Sequence, residues 1–325
     1  MLSYYLNLAL RSLKRNPALT ALMIVTIGFG VAASMTTWSV FRAVSGDPIP
    51  QKSSKLYVPQ VDNWGPARRS DTGDPPQSLS YIDAVNLMRA HRARYQSAMY
   101  RIEVSVVPDK PGQHPFYSEG HAVFGEFFPM LDVPFRYGSG WSAKVDADRA
   151  RVAVISSKLN DKLFGGADSV GKTVNVGGKS YRITGVLAHW NPQPRFYDLV
   201  NSGGFNPESE GVFVPFNTAI DAPIDNSGST NCYAPPSGPG LVGLQRSECV
   251  WIAFMVELDS AAQVHAYRQF LDGYARQQQQ AGRFTWQPNN RLRSLPEWLA
   301  YQRVVPDDTR TSLLVALGLL LVCLV

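Results

Sequence analysis

The strongest pattern along the chain is a long apolar run without charge. Asn16 to Phe41, between Arg15 and Arg42, is 26 residues with no Asp, Glu, Lys or Arg. As an α-helix at about 1.5 Å per residue it reaches roughly 39 Å, enough to cross a hydrocarbon core of about 30 Å with tilt. Pro17 suits the first turn, where its missing N–H is no loss. A transmembrane helix is expected over 17–44. The rival is a cleaved signal peptide, since basic residues, the apolar run and Val31-Ala32-Ala33-Ser34 imitate its parts. A signal peptide's apolar core is only about 7–15 residues long, which favours a retained anchor. Thr311–Val325, TSLLVALGLLLVCLV, is a second uncharged run of 15 residues. It reaches about 22 Å as a helix, too short to span. Apolar on every face, it reads as the opening half of a second membrane helix rather than a core helix.

Ahead of the first run, Leu2, Tyr5, Leu6, Ala9 and Leu13 share a helical stripe opposite Asn7, Arg11 and Lys14. This predicts a cytoplasmic interfacial helix over 1–16 against membrane lipid, or else an ordinary solvated turn. Within the span, Gly28, Gly30, Ala32 and Ser34 are expected to form a small-residue surface for packing against another membrane helix.

Between the two runs, 45–305 alternates strands and helices bounded by Pro/Gly loops. Leu56-Tyr57-Val58 reads as a strand and 62–78 as a loop. Ser80 and Asp83 form a capping box, opening a helix with Ile82, Val85 and Met88 inward and Arg89, Arg92 and Arg94 closing it. Tyr100–Val107 follows as a strand. Near the far end, Trp251–Leu258 reads as a strand. Val264, Tyr267, Phe270, Leu271 and Tyr274 form a helical stripe, and Phe284-Thr285-Trp286 reads as a third element. Ser294 and Glu297 cap a helix leading towards Pro306, which should interrupt it. The predicted fold is α+β. A β-α-β base, 45–115 and 250–295, carries a β-rich insert at 116–249 and a stalk at 296–310. The insert shows strands at His121–Phe124, Val152–Ile155 and Gly211–Phe216. It also shows an apolar knot at Phe127–Leu131, a short helix through Asn160–Phe164 and a hairpin around Gly177-Gly178. Residues 188–249 are loop-rich, a binding loop or a partly mobile one.

Charge sharpens the topology. Of the formal charge of +5, residues 1–44 supply +4 through Arg11, Lys14, Arg15 and Arg42, leaving +1 for the rest. Three cations before the span put the N-terminus in the cytoplasm and 45–305 outside it. The balanced body argues against nucleic acid as a partner. In an oxidising compartment Cys232 and Cys249 are disulfide candidates, whereas Cys323 in the terminal run is a packing residue.

Catalytic and metal signatures are weak. Gly166-Ala-Asp-Ser-Val-Gly171-Lys172-Thr173 matches the letters of a P-loop. A P-loop needs a strand before it and a helix after it, and here the expected order is the reverse. The glycines therefore read as turn residues. His91, His114, His121, His189 and His265 are scattered without metal spacing. Glu208 with Glu210, and Asp307 with Asp308, read as solvated surface acids. We assign no catalytic, cofactor or metal residue. A periplasmic enzyme assembled from distant residues is the third hypothesis.

The stretch Arg151–Leu187, RVAVISSKLNDKLFGGADSVGKTVNVGGKSYRITGVL, resembles the periplasmic core domain of MacB/FtsX-type ABC transporter permeases. That family shows a strand, a short helix ending in Leu-Phe-Gly, a "vGk" turn and a hairpin ending in "GV". Gly125–Val133 resembles its "yFxxLgv" segment, and Leu8–Pro17 its opening before the first membrane helix. The resemblance implies a permease with four membrane helices and a large exported porter-like domain between the first two. It implies an inner-membrane homodimer or heterodimer driven by a separate cytoplasmic ABC ATPase that uses ATP. Motion passed to the exported domain, called mechanotransmission, then serves export or efflux. On this reading the chain ends within its second span and lacks the rest of the membrane part. The alternative is an FtsX-like regulator or scaffold whose exported domain activates a cell-wall enzyme or adaptor.

Overall fold

The computed structural model describes residues 15–45, 47–109, 112, 114–202, 206, 209–304, 311, 315 and 318. The interfacial stripe before Arg15, Pro306, the Asp307/Asp308 pair, Glu208 and nearly all of the terminal apolar run lie outside these residues. The chain divides into two compact units, Met1–Gly46 with Arg303–Val325, and Asp47–Gln302.

In the first unit, helix α1 spans Pro17–Ser45. The 20-residue window Pro17–Thr36 is long and apolar enough to cross a membrane, and none of it is buried. Three of its threonine hydroxyls are satisfied within the helix, the arrangement that lipid favours. Thr20 Oγ1 donates to the Asn16 carbonyl at 3.0 Å, Thr26 Oγ1 to Leu22 at 3.0 Å and Thr36 Oγ1 to Ala32 at 2.9 Å. The small residues do not form one surface. Each residue turns about 100° around the axis, so Gly28 and Ala32 share one side while Gly30 and Ser34 lie roughly opposite. The helix offers two narrow small-residue faces instead of one.

The second unit runs β1 (Leu56–Gln60), β2 (Leu79–Ser80), α2 (Tyr81–Ala90), β3 (Tyr95–Val107), β4 (Phe116–Val123), α3 (Phe127–Met130), β5 (Phe135–Gly138), α4 (Ala143–Ala147), β6 (Val152–Ile155) and α5 (Ser157–Phe164). It continues with β7 (Thr173–Val176), β8 (Lys179–Leu187), α6 (Leu199–Ser202), β9 (Val212–Pro215), α7 (Phe216–Asp221), α8 (Gly240–Gln245), β10 (Val250–Glu257), α9 (Ala261–Gln280), β11 (Arg291–Ser294) and α10 (Leu295–Tyr301).

One mixed sheet runs β11-β1-β10-β3-β4-β9-β6-β8-β5, with β2 on β10 and β7 bridging β3 and β8. At its first end every neighbour is antiparallel, so β1 is parallel to β3 across β10, and β10 is parallel to β11 across β1. The units β1-α2-β3 and β10-α9-β11 are therefore two split β-α-β motifs interleaved, the expected base. Tyr274 on α9 donates to Asp83 on α2 at 2.6 Å, which puts both helices side by side. The insert continues the same sheet, because β4 pairs with β3 from Val106↔Phe116 to Met99↔Val123. Trp251 is fully buried, with Tyr100 against it edge-on at 5.1 Å. Such a contact contributes about 0.5–1.5 kcal/mol beyond burial alone.

Two local expectations are corrected. Helix α2 buries Asp83, Ala84 and Leu87, leaving Ile82, Val85 and Met88 half-buried. The period was right and the phase was not, because Asp83 is a buried acid with its own partners. Phe284-Thr285-Trp286 is not a strand: the amides of Arg283 and Phe284 donate back to Gln278 O at the end of α9. The third strand is Arg291–Ser294.

Candidate functional site

The segment Gly166–Thr173 has a helix before it and a strand after it. Gly165 caps α5 at φ 68°, and Gly166 and Gly171 also sit at positive φ, 81° and 85°. These are left-handed positions that suit glycine. Lys172 turns its ammonium to the Phe164 ring, 5.4 Å from the centroid. The letters of a P-loop thus serve a helix cap and a turn into the hairpin. The arrangement lacks the helix N-terminus that would hold phosphate.

Cys232 and Cys249 are joined by a disulfide, their Cα atoms 4.3 Å apart. It closes a segment that Asn231 and Val250 also pair by backbone hydrogen bonds of 3.0 and 2.8 Å. Beside it lies an open cleft of about 510 Å³ lined by Trp64, Arg68, Pro76, Asn231, Tyr233 and Tyr301, among others. Trp64 and Tyr233 meet edge to face at 5.8 Å.

Next to Cys249, Glu248 belongs to a half-buried latch. Arg283 donates to both oxygens of Glu248 at 2.7 Å and to Asp83 at 2.6 and 2.9 Å. Asp83 also accepts from Ser80 Oγ and Tyr274, each at 2.6 Å. Burial by itself would lower the Arg283 pKa, but Glu248 and Asp83 outweigh it and hold the guanidinium charged. Glu248 further accepts from Asn63 Nδ2 at 2.9 Å, and its carbonyl accepts from Trp64 Nε1 at 2.7 Å. One arginine therefore ties α2, the loop after α9, the disulfide and the 62–78 loop together.

A second buried ionic group sits under β4. His121 is fully buried, with Nε2 2.7 Å from Asp198 Oδ2 and Nδ1 2.6 Å from Glu210 Oε1. Arg195, also fully buried, has Nη1 3.4 Å from Glu210 and 3.6 Å from Glu119. Burial pulls the His121 pKa down, yet Glu210 and Asp198 raise it to about 9. Burial pushes Glu210 up, but His121 and Arg195 bring it below the ordinary carboxylate value. Both ring nitrogens face carboxylates on opposite sides, so neither presents a lone pair for a metal. Among the described residues no group of His, Cys, Asp and Glu is arranged to hold a metal ion.

Glu210 is thus not the solvated surface acid expected from its neighbours, and His121 is not an isolated histidine. Sequence reasoning missed Arg195, Asp198, Glu248 and Arg283 altogether. The one available cue was an Arg and an Asp flanking two aromatic residues in Pro194-Arg195-Phe196-Tyr197-Asp198. These groups have the geometry of structural ties, with carboxylates set against His121, Arg195 and Arg283.

The sequence model of the family described as MacB-like periplasmic core domain matches residues 20–272. The chain belongs to that family. The match begins inside α1, so the apolar helix and the MacB-like domain are covered together. Among solved structures, the periplasmic region of MacB from Actinobacillus actinomycetemcomitans is similar at 12% identity and TM-score 0.47, over 80% of this chain and 96% of that one. The extracellular domain of the noncanonical ABC-type transporter YknZ from Gram-positive bacteria gives 15% identity and TM-score 0.43, covering 73% and 99%. A domain of a putative permease protein from Porphyromonas gingivalis gives 10% and 0.46, covering 74% and 91%. No curated protein sequence matches the chain.

Proposed function

We propose that this chain is the permease subunit of an ABC transporter of the mechanotransmission type. Its MacB-like domain stands outside the inner membrane, and a separate cytoplasmic ATPase supplies the energy. The observation carrying this reading is the family match over residues 20–272, which joins the apolar helix to the folded domain. In this reading Gly166–Thr173 is a helix cap and turn and not a nucleotide site. ATP acts at the partner subunit.

Within this reading, α1 carries movement across the bilayer and the unit 47–302 receives it. The domain suits transmission because its ties are internal and stiff. The continuous sheet joins base to insert, and Arg283 and His121 lock loops on to it. Such a body moves as a whole, which is what a mechanical coupling needs.

The test is affinity purification of the full-length gene product from its native host after mild cross-linking in intact cells. Recovery of an ATPase with a genuine P-loop, lost when the cytoplasmic face of the permease is altered, supports the reading. Recovery of a cell-wall hydrolase without any ATPase contradicts it, and favours a regulatory scaffold.

A further inference from the structure

Two adjacent arginines on the cleft beside the disulfide have different surroundings. Arg69 is tied into the protein: its Nε donates to Asp62 at 2.9 Å and its Nη2 to the Gln287 carbonyl at 2.7 Å. Arg68 lines the same cleft, is exposed, and meets no carboxylate among the described residues. Asp74 is the one acid among the described residues of the cleft wall, and Arg291 and Arg293 already hold it at 3.3 and 2.7 Å. The wall therefore carries an uncompensated positive charge at Arg68.

The backbone presenting that charge is pinned. Pro66–Arg68 is a short 3-10 turn in which Arg68 N donates to the Gly65 carbonyl at 3.1 Å. Gly65 sits at φ 74°, and a Cβ there would lie 2.5 Å from the Trp286 ring. Only glycine suits both demands. Trp286 Nε1 donates to the Asp62 carbonyl at 3.0 Å, which closes the loop on to that ring. On the same cleft, the disulfide at Cys232 fixes the neighbouring Tyr233. The ordering cost of this wall is met before any ligand arrives.

The rest of the lining narrows the chemistry of a ligand. Trp64, Tyr233 and Tyr301 bring aromatic rings to the cleft. Gln77 and Asn231 bring exposed side-chain amides, neither of which has a hydrogen-bond partner among the described residues. Each amide offers both donors and an acceptor, which is what a set of hydroxyl groups requires. Aromatic faces take the C–H face of a sugar ring, and a guanidinium takes a carboxylate by two parallel hydrogen bonds. A flat aromatic acid would use the rings and Arg68 but would leave both amides idle. At about 510 Å³ the cleft has the size of a site for a small organic molecule.

We propose that this cleft binds an acidic sugar, its carboxylate on Arg68 and its ring against the aromatic wall. The site lies wholly within the unit 47–302 and does not depend on the ATPase assignment.

The test is saturation-transfer NMR on the full-length chain in lipid nanodiscs, with trigalacturonate as the probe. Maltotriose, which lacks the carboxylates, and phenylacetate, which lacks the sugar hydroxyls, are titrated beside it. We expect trigalacturonate to bind at least about tenfold more tightly than either, which corresponds to about 1.4 kcal/mol. Arg68→Gln should weaken trigalacturonate by a similar factor, and Tyr233→Ala should reduce transfer to its ring protons. Both positions are exposed, so a folding defect does not mask the result. Arg92→Gln, at an exposed arginine outside the cleft, should change nothing. Absence of transfer, maltotriose or phenylacetate binding as tightly as trigalacturonate, or binding that Arg68→Gln leaves intact overturns the proposal.

Discussion

Arg283 and Asp83 are 200 residues apart in sequence, yet two hydrogen bonds of 2.6 and 2.9 Å join them. The same guanidinium holds Glu248 by two further bonds of 2.7 Å. Helix α2, the end of α9 and the disulfide-closed segment thus meet on one side chain.

Replacing Arg283 by Ala leaves the buried Asp83 and the half-buried Glu248 without their shared cation. Breaking such a pair from one side costs about 3–5 kcal/mol. The Arg283 side chain is 15% exposed, so the lower end applies. In detergent, the thermal midpoint of the full chain should fall by roughly 6–12 °C. A fall of less than about 2 °C would show the latch to be energetically idle.

The His121 group gives a pH dependence with a definite sign. Its folded pKa, about 9, lies above the unfolded value near 6.5. The histidine's contribution is therefore fully present below about pH 6.5 and is lost as the pH rises through 9. Glu210, lowered in the fold, contributes above its ordinary value and loses that contribution in acid. The His121 contribution to thermal stability should therefore decline from about pH 6.5 to 9 and level off above that. In His121→Asn the alkaline decline should be shallower; an unchanged slope would refute the assignment.

Asp146 shifts in the opposite sense to Glu210. Burial raises its pKa to about 6, against donation from Gly125 N at 2.8 Å and Trp141 Nε1 at 2.9 Å. An acid with a raised folded pKa binds its proton more tightly when folded, so its effect on stability worsens as pH rises from about 4 to 6. Relative to the parent, Asp146→Asn should gain stability across that interval. Midpoints measured at pH 4.5 and 7 check this, and a constant difference between the two proteins would contradict it.

Reduction of Cys232–Cys249, separated by 17 residues, should cost about 3 kcal/mol through the freed loop. Limited proteolysis should then cut within 226–245 well before the sheet. Equal cleavage rates with and without reductant would show that the backbone pairing alone fixes this segment.

Much of the sheet was legible because its patterns are local. Val152–Ile155 and the hairpin around Gly177-Gly178 follow from alternation and turn residues, and their observed bounds agree. The Ser294–Glu297 capping box is present as read. What local pattern could not give was the partner of each charge. Asp83 sits in a capping box, a role that announces no further partner, although Tyr274 and Arg283 hold it in the core. Glu210 stood among polar residues, and only the fold brings His121 and Arg195 to it. Phe284 and Trp286 alternate like a strand because their rings stack at 5.6 Å, while the backbone at Arg283 and Phe284 is bound to the end of α9. The four small residues of α1 were read as one surface from sequence spacing, but helical rotation separates them.

The central claim is that 47–302 lies across the membrane from the cytoplasmic ATPase, behind α1. The most direct measurement is labelling of a single exposed cysteine, Asp272→Cys on α9, with a membrane-impermeant maleimide. Within these 325 residues Cys232 and Cys249 are disulfide-bonded, and Cys323→Ser removes the third cysteine. The expected result is labelling in cells whose inner membrane is intact, at the extent reached after lysis. Labelling only after the inner membrane is broken would put the domain in the cytoplasm and contradict the account.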